Sequence, residues 1–240
     1  MNVETKISGK RVLVTGAGGF IGGYICELLS NQDNTVIAAD IKKLNDWTRK
    51  PNSKIIVKSS QNLVIAENCK KLLKQQDINY VFNLAADIGG MAYITKHCAD
   101  LMYNNGILDY NMLQASAEND VERFFYSSSA CAYPWTLQEN IDSAPLKESD
   151  AIPANPDSFY GWEKLYMEKL CEAYEKDFGL KTRIARFHSI YGEGCVWKGE
   201  RDKAPAALCR KAIEARDGEE GHTHRHGIRG RREDSEDEAG

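Results

Sequence analysis

A glycine-rich turn, Thr15-Gly16-Ala17-Gly18-Gly19-Phe20-Ile21-Gly22, follows directly on the apolar run Arg11–Thr15. It opens a stretch with apolar residues at Ile21, Ile25, Leu28 and Leu29, the three- and four-residue spacing of a helix, whereas the run before it reads as a strand. In a strand–turn–helix unit such glycines permit a tight turn, let the backbone approach a pyrophosphate and let helix and strand pack closely. The helix start then offers unpaired N–H groups and the positive end of its dipole to phosphate. Gly16, Gly19, Phe20, Ile21 and Gly22 are therefore candidates for holding a dinucleotide. Asp40 closes the next strand about 20 residues on, where a carboxylate accepts hydrogen bonds from ribose hydroxyls. That favours NAD over NADP, although Lys42 and Lys43 alongside weaken the preference. The competing reading, a structural turn and an ordinary surface aspartate, does not account for the flanking strand and helix.

The turn is the first step of an alternation. Strands are predicted at Arg11–Thr15, Thr35–Asp40, Lys54–Val57, Tyr80–Leu84, Arg123–Ser127 and Thr182–Phe187, with helices at 100–118, 160–177 and Ala204–Ala215. Six strands in βα alternation imply an α/β fold, a doubly wound parallel sheet with helices on both faces. A 42% hydrophobic, 28% charged chain of 240 residues can bury such a core. No apolar run is long enough for a membrane span, the start has no secretory signal, and a net charge of −4 gives no general affinity for nucleic acid. Seven scattered cysteines make no disulfide or zinc framework, which points to a reducing compartment, most simply the cytosol. Residues 213–240 hold nine acids and five bases, have no aromatic residue, and read as a disordered tail after a folded body at 1–212. The tail carries His222, His224 and His226, best read as polar residues without a fixed frame for a metal.

Among eleven tyrosines, Tyr160 alone has a lysine four residues later, Lys164. On a helix the two share a face, and an ammonium there stabilises a phenolate, lowering the tyrosine toward a working pKa. The same lysine can hold a nicotinamide ribose. Upstream, Ser127-Ser128-Ser129-Ala130-Cys131 ends a predicted strand, where open α/β sheets place their ligands, and Ser129 is positioned to hydrogen-bond a reacting oxygen. Taken alone, the Tyr–Lys pair would be an exposed tyrosine beside a solvated lysine; its distance downstream of the glycine turn favours chemistry.

The glycine turn, Asn83-Leu84-Ala85-Ala86, the serine triplet and the Tyr160/Lys164 pair together resemble the extended short-chain dehydrogenase/reductases that act on sugar nucleotides. A finer resemblance, to the GDP-mannose 3,5-epimerases, is carried by VTGAGGFIG, VFNLAADIGGM, MYNN, RFFYSSSACAYP, LKESDA, YGWEKLYMEKLC, RFHSIYG and WKGERDKAPAALCRKA, spread over residues 12–212. The resemblance implies bound NAD, with Ala85, Tyr160 and Lys164 among its contacts, and a GDP-mannose-type nucleotide sugar as substrate. It implies that Tyr160 is the base at the sugar's C4, Ser129 the hydroxyl on the C4 oxygen, and Cys131 and Lys203 the base–acid pair that inverts C3 and C5. Gly89, Gly90 and Lys211 match positions near the sugar or its diphosphate. A homodimer through helices 100–118 and 160–177 is also implied. Unaided, Cys131 could as easily be a small buried hydrophobe, and Lys203 reads as a solvated lysine.

Three departures qualify the resemblance. Asn62 stands where the family has an aspartate that meets the adenine amino group, though an amide oxygen still accepts that bond. Ser189 replaces a substrate-contacting asparagine, and Glu193 replaces a proline. The resemblance stops near Ala212, so most of the C-terminal substrate lobe that clamps the diphosphate is expected to be missing, with binding and turnover reduced. Another sugar-nucleotide epimerase, a 4,6-dehydratase or a non-catalytic NAD-binding remnant are the alternatives.

Overall fold

In the computed structural model, which describes residues 7–74, 76–138 and 145–216, the alternation is realised in full. The strands are β1 (Arg11–Thr15), β2 (Thr35–Ala39), β3 (Ile55–Lys58), β4 (Tyr80–Asn83), β5 (Arg123–Ser129) and β6 (Lys181–Phe187). The helices are α1 (Phe20–Ser30), α2 (Ala66–Lys74), α3 (Met91–Lys96), α4 (Cys98–Glu118), α5 (Phe159–Phe178) and α6 (Ala204–Arg216). The sheet runs β3-β2-β1-β4-β5-β6 with every pair parallel. Helix α6 continues to Arg216, so the boundary expected at 212 falls inside a helix. The expected disordered stretch from 217 onward, with its histidines, lies outside the described residues.

Side-chain alternation on the central strands builds two cores. Val12 and Val14 of β1, with Val36 and Ala38 of β2, face Cys26 and Leu29 of α1. Leu13 and Ile37 face the other way, onto Leu72 and Leu73 of α2, Met112 and Leu113 of α4, and Met167 and Cys171 of α5. Burial on both faces explains why β1 and β2 read as continuous apolar runs. The edges carry charge instead, with Lys181 and Arg183 exposed on β6. Helix α5 starts where Ser158 accepts the Gly161 N–H at 3.1 Å and stops at Gly179, whose φ of 72° suits a residue without a side chain.

Strand order reverses between β1 and β4, which opens a crevice beyond the carboxyl ends of the strands. Thr15 closes the floor of that crevice. Its hydroxyl donates to Asn83 Oδ1 at 2.8 Å and accepts the N–H groups of Leu84 and Ala85 at 3.1 and 3.2 Å.

Candidate active site

Two glycines of the turn have no room for a side chain. A Cβ on Gly16, whose φ is +67°, would lie 2.7 Å from the Leu84 carbonyl oxygen, and one on Gly22 would lie 2.2 Å from that of Gly16. Helix α1 begins at Gly19 with no side-chain cap and no acidic residue in its first turn. Its N–H groups at Phe20, Ile21 and Gly22 are thus left for an anion. Asp40 is 6% exposed, not an ordinary surface aspartate. Its Oδ2 accepts the Gly18 N–H at 2.9 Å and its Oδ1 the Lys42 N–H at 2.8 Å. The carboxylate fastens the turn to the end of β2 and keeps spare lone pairs for a ribose. Asn62 uses its Oδ1 on the Val64 N–H at 3.1 Å, folding the approach to α2. This cradle fits a dinucleotide.

At the end of β5 the serine triplet divides its work. Ser127 donates to the Asn83 carbonyl at 2.9 Å, and Ser128 is committed to buried Glu168. Ser129 remains, accepting the Cys131 N–H at 3.2 Å and favouring the ionised forms of both the Cys131 thiol and the Tyr160 hydroxyl. Gly161 makes this convergence possible, because a Cβ there would lie 2.1 Å from the Cys131 carbonyl oxygen. Burial pushes the Cys131 thiol up; Ser129 and the Lys203 ammonium pull it down, and Asp157 adds to the rise. Cys131 is thus the common neighbour: it packs against the cluster that holds Tyr160, donates its N–H to Ser129, and feels the Lys203 charge. At pH 8 iodoacetamide is expected to alkylate Cys131 more slowly than exposed Cys209, and Lys203→Met to slow Cys131 severalfold further. Peptide mass spectrometry across pH 7–10 reads both rates; equal labelling of the two thiols would contradict this electrostatic picture.

Lys164 departs from expectation. It is 1% exposed, and its ammonium donates to the Tyr126 hydroxyl at 3.0 Å and to Asp109 Oδ2 at 3.4 Å, with Glu163 Oε2 at 3.7 Å. It lies 5.7 Å from the centre of the Tyr160 ring. The ammonium does pull Tyr160 down, but burial outweighs it and the hydroxyl is pushed up to about 12. The phenol is not acidified in this state, contrary to the reading from spacing alone. Asp109 and Glu163 were not anticipated either. Desolvation raises both carboxyls, Glu163 to about 8, and neither Glu163 oxygen has a hydrogen-bond partner. Asp109 also accepts from Asn83 Nδ2 at 2.6 Å.

Gly90 packs against Asp202, the neighbour of Lys203, and Gly89 against Tyr93, so their smallness is required by the chain itself. A Cβ on Gly90 would lie 2.2 Å from the Asp202 carbonyl oxygen, and one on Gly89 would strike the Tyr93 ring. Ser189 and Lys211 are exposed, after β6 and on α6, and no hydrogen bond or ion pair joins either to Cys131, Tyr160 or Lys203. Among the described residues, no helix is long and apolar enough to cross a membrane.

Comparison with known proteins agrees with this geometry. The chain is 46% identical over 202 residues to the GDP-mannose 3,5-epimerase of Arabidopsis thaliana and 48% identical over 204 residues to GDP-mannose 3,5-epimerase 1 of Oryza sativa subsp. indica. Each match takes in 84% of this chain and 52% of the relative, so the chain spans about half the length of these curated relatives. The solved UDP-glucose 4-epimerase of Thermotoga maritima with UDP-glucose superposes with a TM-score of 0.72 at 25% identity, over 85% of this chain and 62% of that one. The NAD dependent epimerase/dehydratase family model matches residues 12–226. With the glycine cradle, the parallel six-stranded order and the Ser129/Tyr160/Lys164 set at its open end, the chain belongs to the NAD-dependent epimerase/dehydratase family.

Proposed function

We propose that the site inverts C3 and C5 of GDP-D-mannose to give GDP-L-galactose, through a transient ketone at C4. One observation carries this reading beyond the family: a thiol, Cys131, packs against Tyr160 and hydrogen-bonds Ser129 through its N–H, while the Lys203 charge acts on it. A 4,6-dehydratase would want a carboxylate acid–base pair by the serine triplet. The identity to plant enzymes named for this reaction supports the same choice.

A nicotinamide dinucleotide, when bound, supplies a hydride acceptor at C4 and afterwards returns the hydride. Gly16, Gly19, Phe20, Ile21 and Gly22 hold the pyrophosphate, Asp40 the adenosine ribose, Asn62 the adenine amino group, and Ala85 lines the crevice. A carboxylate at Asp40 disfavours a 2′-phosphate, so NAD is the form used. Tyr160 takes the C4 hydroxyl proton while Ser129 hydrogen-bonds the same oxygen. Lys164 must bring its charge toward Tyr160 and the ribose for this to occur near neutral pH, which requires loosening its hold on Asp109. Once C4 is a ketone, the neighbouring C3 and C5 protons become acidic because the carbanion delocalises onto the carbonyl. Cys131 and Lys203 then remove a proton and return one from the opposite side. Gly89, Gly90, Ser189 and Lys211 bound the sugar and its diphosphate. Exposed Met102, Tyr103 and Tyr110 of α4 and Tyr166 of α5 support a homodimer through these two helices.

Incubation of the full chain with NAD⁺ and GDP-mannose in D₂O tests the reading. Deuterium is expected at C5 and C3 of recovered sugar, together with new hexose isomers by NMR. Saturating NAD⁺ at about a hundred times Kd is expected to stabilise the chain by about 2.7 kcal/mol in a thermal melt. A chain that binds NAD⁺ yet leaves every GDP-mannose C–H unexchanged would refute the epimerase assignment.

A further inference from the structure

Lys203 follows β6 by a long irregular stretch, and nothing in a charged run such as Glu200-Arg201-Asp202-Lys203 fixes an ammonium opposite a thiol. Arg201 supplies the missing constraint. Its Nη1 donates to the Ile88 carbonyl at 2.9 Å, and its Nη2 pairs with Asp87 Oδ1 at 2.8 Å and hydrogen-bonds the Tyr93 hydroxyl. The guanidinium also sits 4.0 Å from the centre of the Tyr93 ring. Tyr93 in turn donates to the Asp87 carboxylate at 3.1 Å. The turn that receives Arg201 is itself anchored: fully buried Asn105 of α4 accepts the Asp87 N–H at 2.7 Å and donates to the Asp87 carbonyl at 3.0 Å. Close contact of the Asp202 carbonyl with Gly90 completes the joint.

We propose that Arg201 is a positioning residue, a latch that holds the Lys203 segment against the Asp87–Tyr93 turn and so sets the ammonium across from Cys131. This rests on the epimerase reading for its chemical consequence, but not for the latch itself. A guanidinium fork that pairs a carboxylate, donates to a carbonyl and stacks on a ring is a geometry lysine cannot reproduce in full. The latch bears on proton transfer at C3 and C5, where Lys203 works. Oxidation at C4 draws on Tyr160, Ser129 and Lys164, which reach the site on β5 and α5.

Arg201→Met and Arg201→Lys in the full chain test this. By hydrogen exchange on the free protein, amides of 196–203 and 87–93 in Arg201→Met are expected to exchange about tenfold faster, on the scale of losing a charged hydrogen bond, while β5 and α5 keep their rates. Arg201→Lys recovers part of that protection. With NAD⁺ and GDP-mannose in D₂O, deuterium entry at C5 is expected to fall by about a hundredfold relative to C4 oxidation followed at 340 nm, the size of effect that a small misplacement produces. Wild-type exchange rates at 196–203 in Arg201→Met, or equal losses in both partial reactions, overturn the latch. If the wild-type chain shows neither partial reaction, the substrate reading fails and the exchange rates alone decide the latch.

Discussion

Lys164→Met is expected to destabilise the folded chain by about 3–5 kcal/mol at pH 8, because it strips the counter-ion from buried carboxylates. Asp109 and Glu163 are 1% and 3% exposed, and the ammonium between them is the only cation described within ion-pair distance of either. The loss depends on pH in a defined direction. Glu163 keeps its proton in the folded state up to about 8, whereas the unfolded chain releases it near 4.5, as an ordinary glutamate does. Between those values the folded state binds the extra proton, so Glu163 favours folding fully below about 4.5 and loses that advantage as pH rises through about 8. The wild-type slope from this group is at most about 1.4 kcal/mol per pH unit. Chemical denaturation at pH 5, 6.5 and 8 reads both effects: Glu163→Gln flattens the slope, and Lys164→Met is hurt least at pH 5, where Glu163 holds its proton. Groups facing Lys164 from other elements are Asp109 of α4 and Tyr126 of β5, and from its own helix Glu163 and Tyr160. A Lys164→Met chain as stable as wild type at pH 8 would show that the carboxyls are not held where they are described.

Gly22→Ala is the second large effect. A methyl group there would meet backbone on two sides, the Gly16 carbonyl oxygen at 2.2 Å and the Ala17 Cα at 2.8 Å, and no flexible side chain can move aside. The turn must open, with an expected loss of about 1–3 kcal/mol in stability. The nucleotide cradle opens with it, so the upward shift in melting temperature on adding NAD⁺ is expected to vanish. Gly106→Ala is the control. It lies within α4 with nothing within 4 Å of the added atom, and the change is expected to stabilise by about 0.8–1 kcal/mol. Were both alanines tolerated equally, the turn would not be as closely packed as the distances state.

The parts of this molecule that were legible in the sequence are those whose signal is local. Runs such as Arg11-Val12-Leu13-Val14-Thr15 are apolar because both faces of β1 are covered, and the four-residue step from Tyr160 to Lys164 is a helix property that needs no partner. What surrounds Lys164 was not legible, because Asp109 comes from a helix 55 residues earlier. A trace of it was present. Asn105 and Asp109 stand four apart on the stripe that buries Leu101, Met112 and Leu113, and polar residues on an apolar stripe ask for partners. Strand β5 runs two residues past its expected end because β6 pairs with it through Ser129 and Phe187, a long-range cause that no local window contains. Arg201 stands among other charges in Glu200-Arg201-Asp202-Lys203, and its partners Asp87 and Tyr93 lie more than a hundred residues away.

Asp40 has a consequence for anyone wishing to change the preferred dinucleotide. Both of its oxygens brace the peptide groups of Gly18 and Lys42, so on the proposed reading nucleotide selectivity and the architecture of the phosphate loop share one side chain. Swapping it for a neutral residue to admit an extra phosphate would unfasten the loop meant to receive that phosphate. On that reading, selectivity is more readily redesigned from Lys43 with the aspartate left in place, since the Lys42 ammonium itself donates to the Gly18 carbonyl at 3.3 Å.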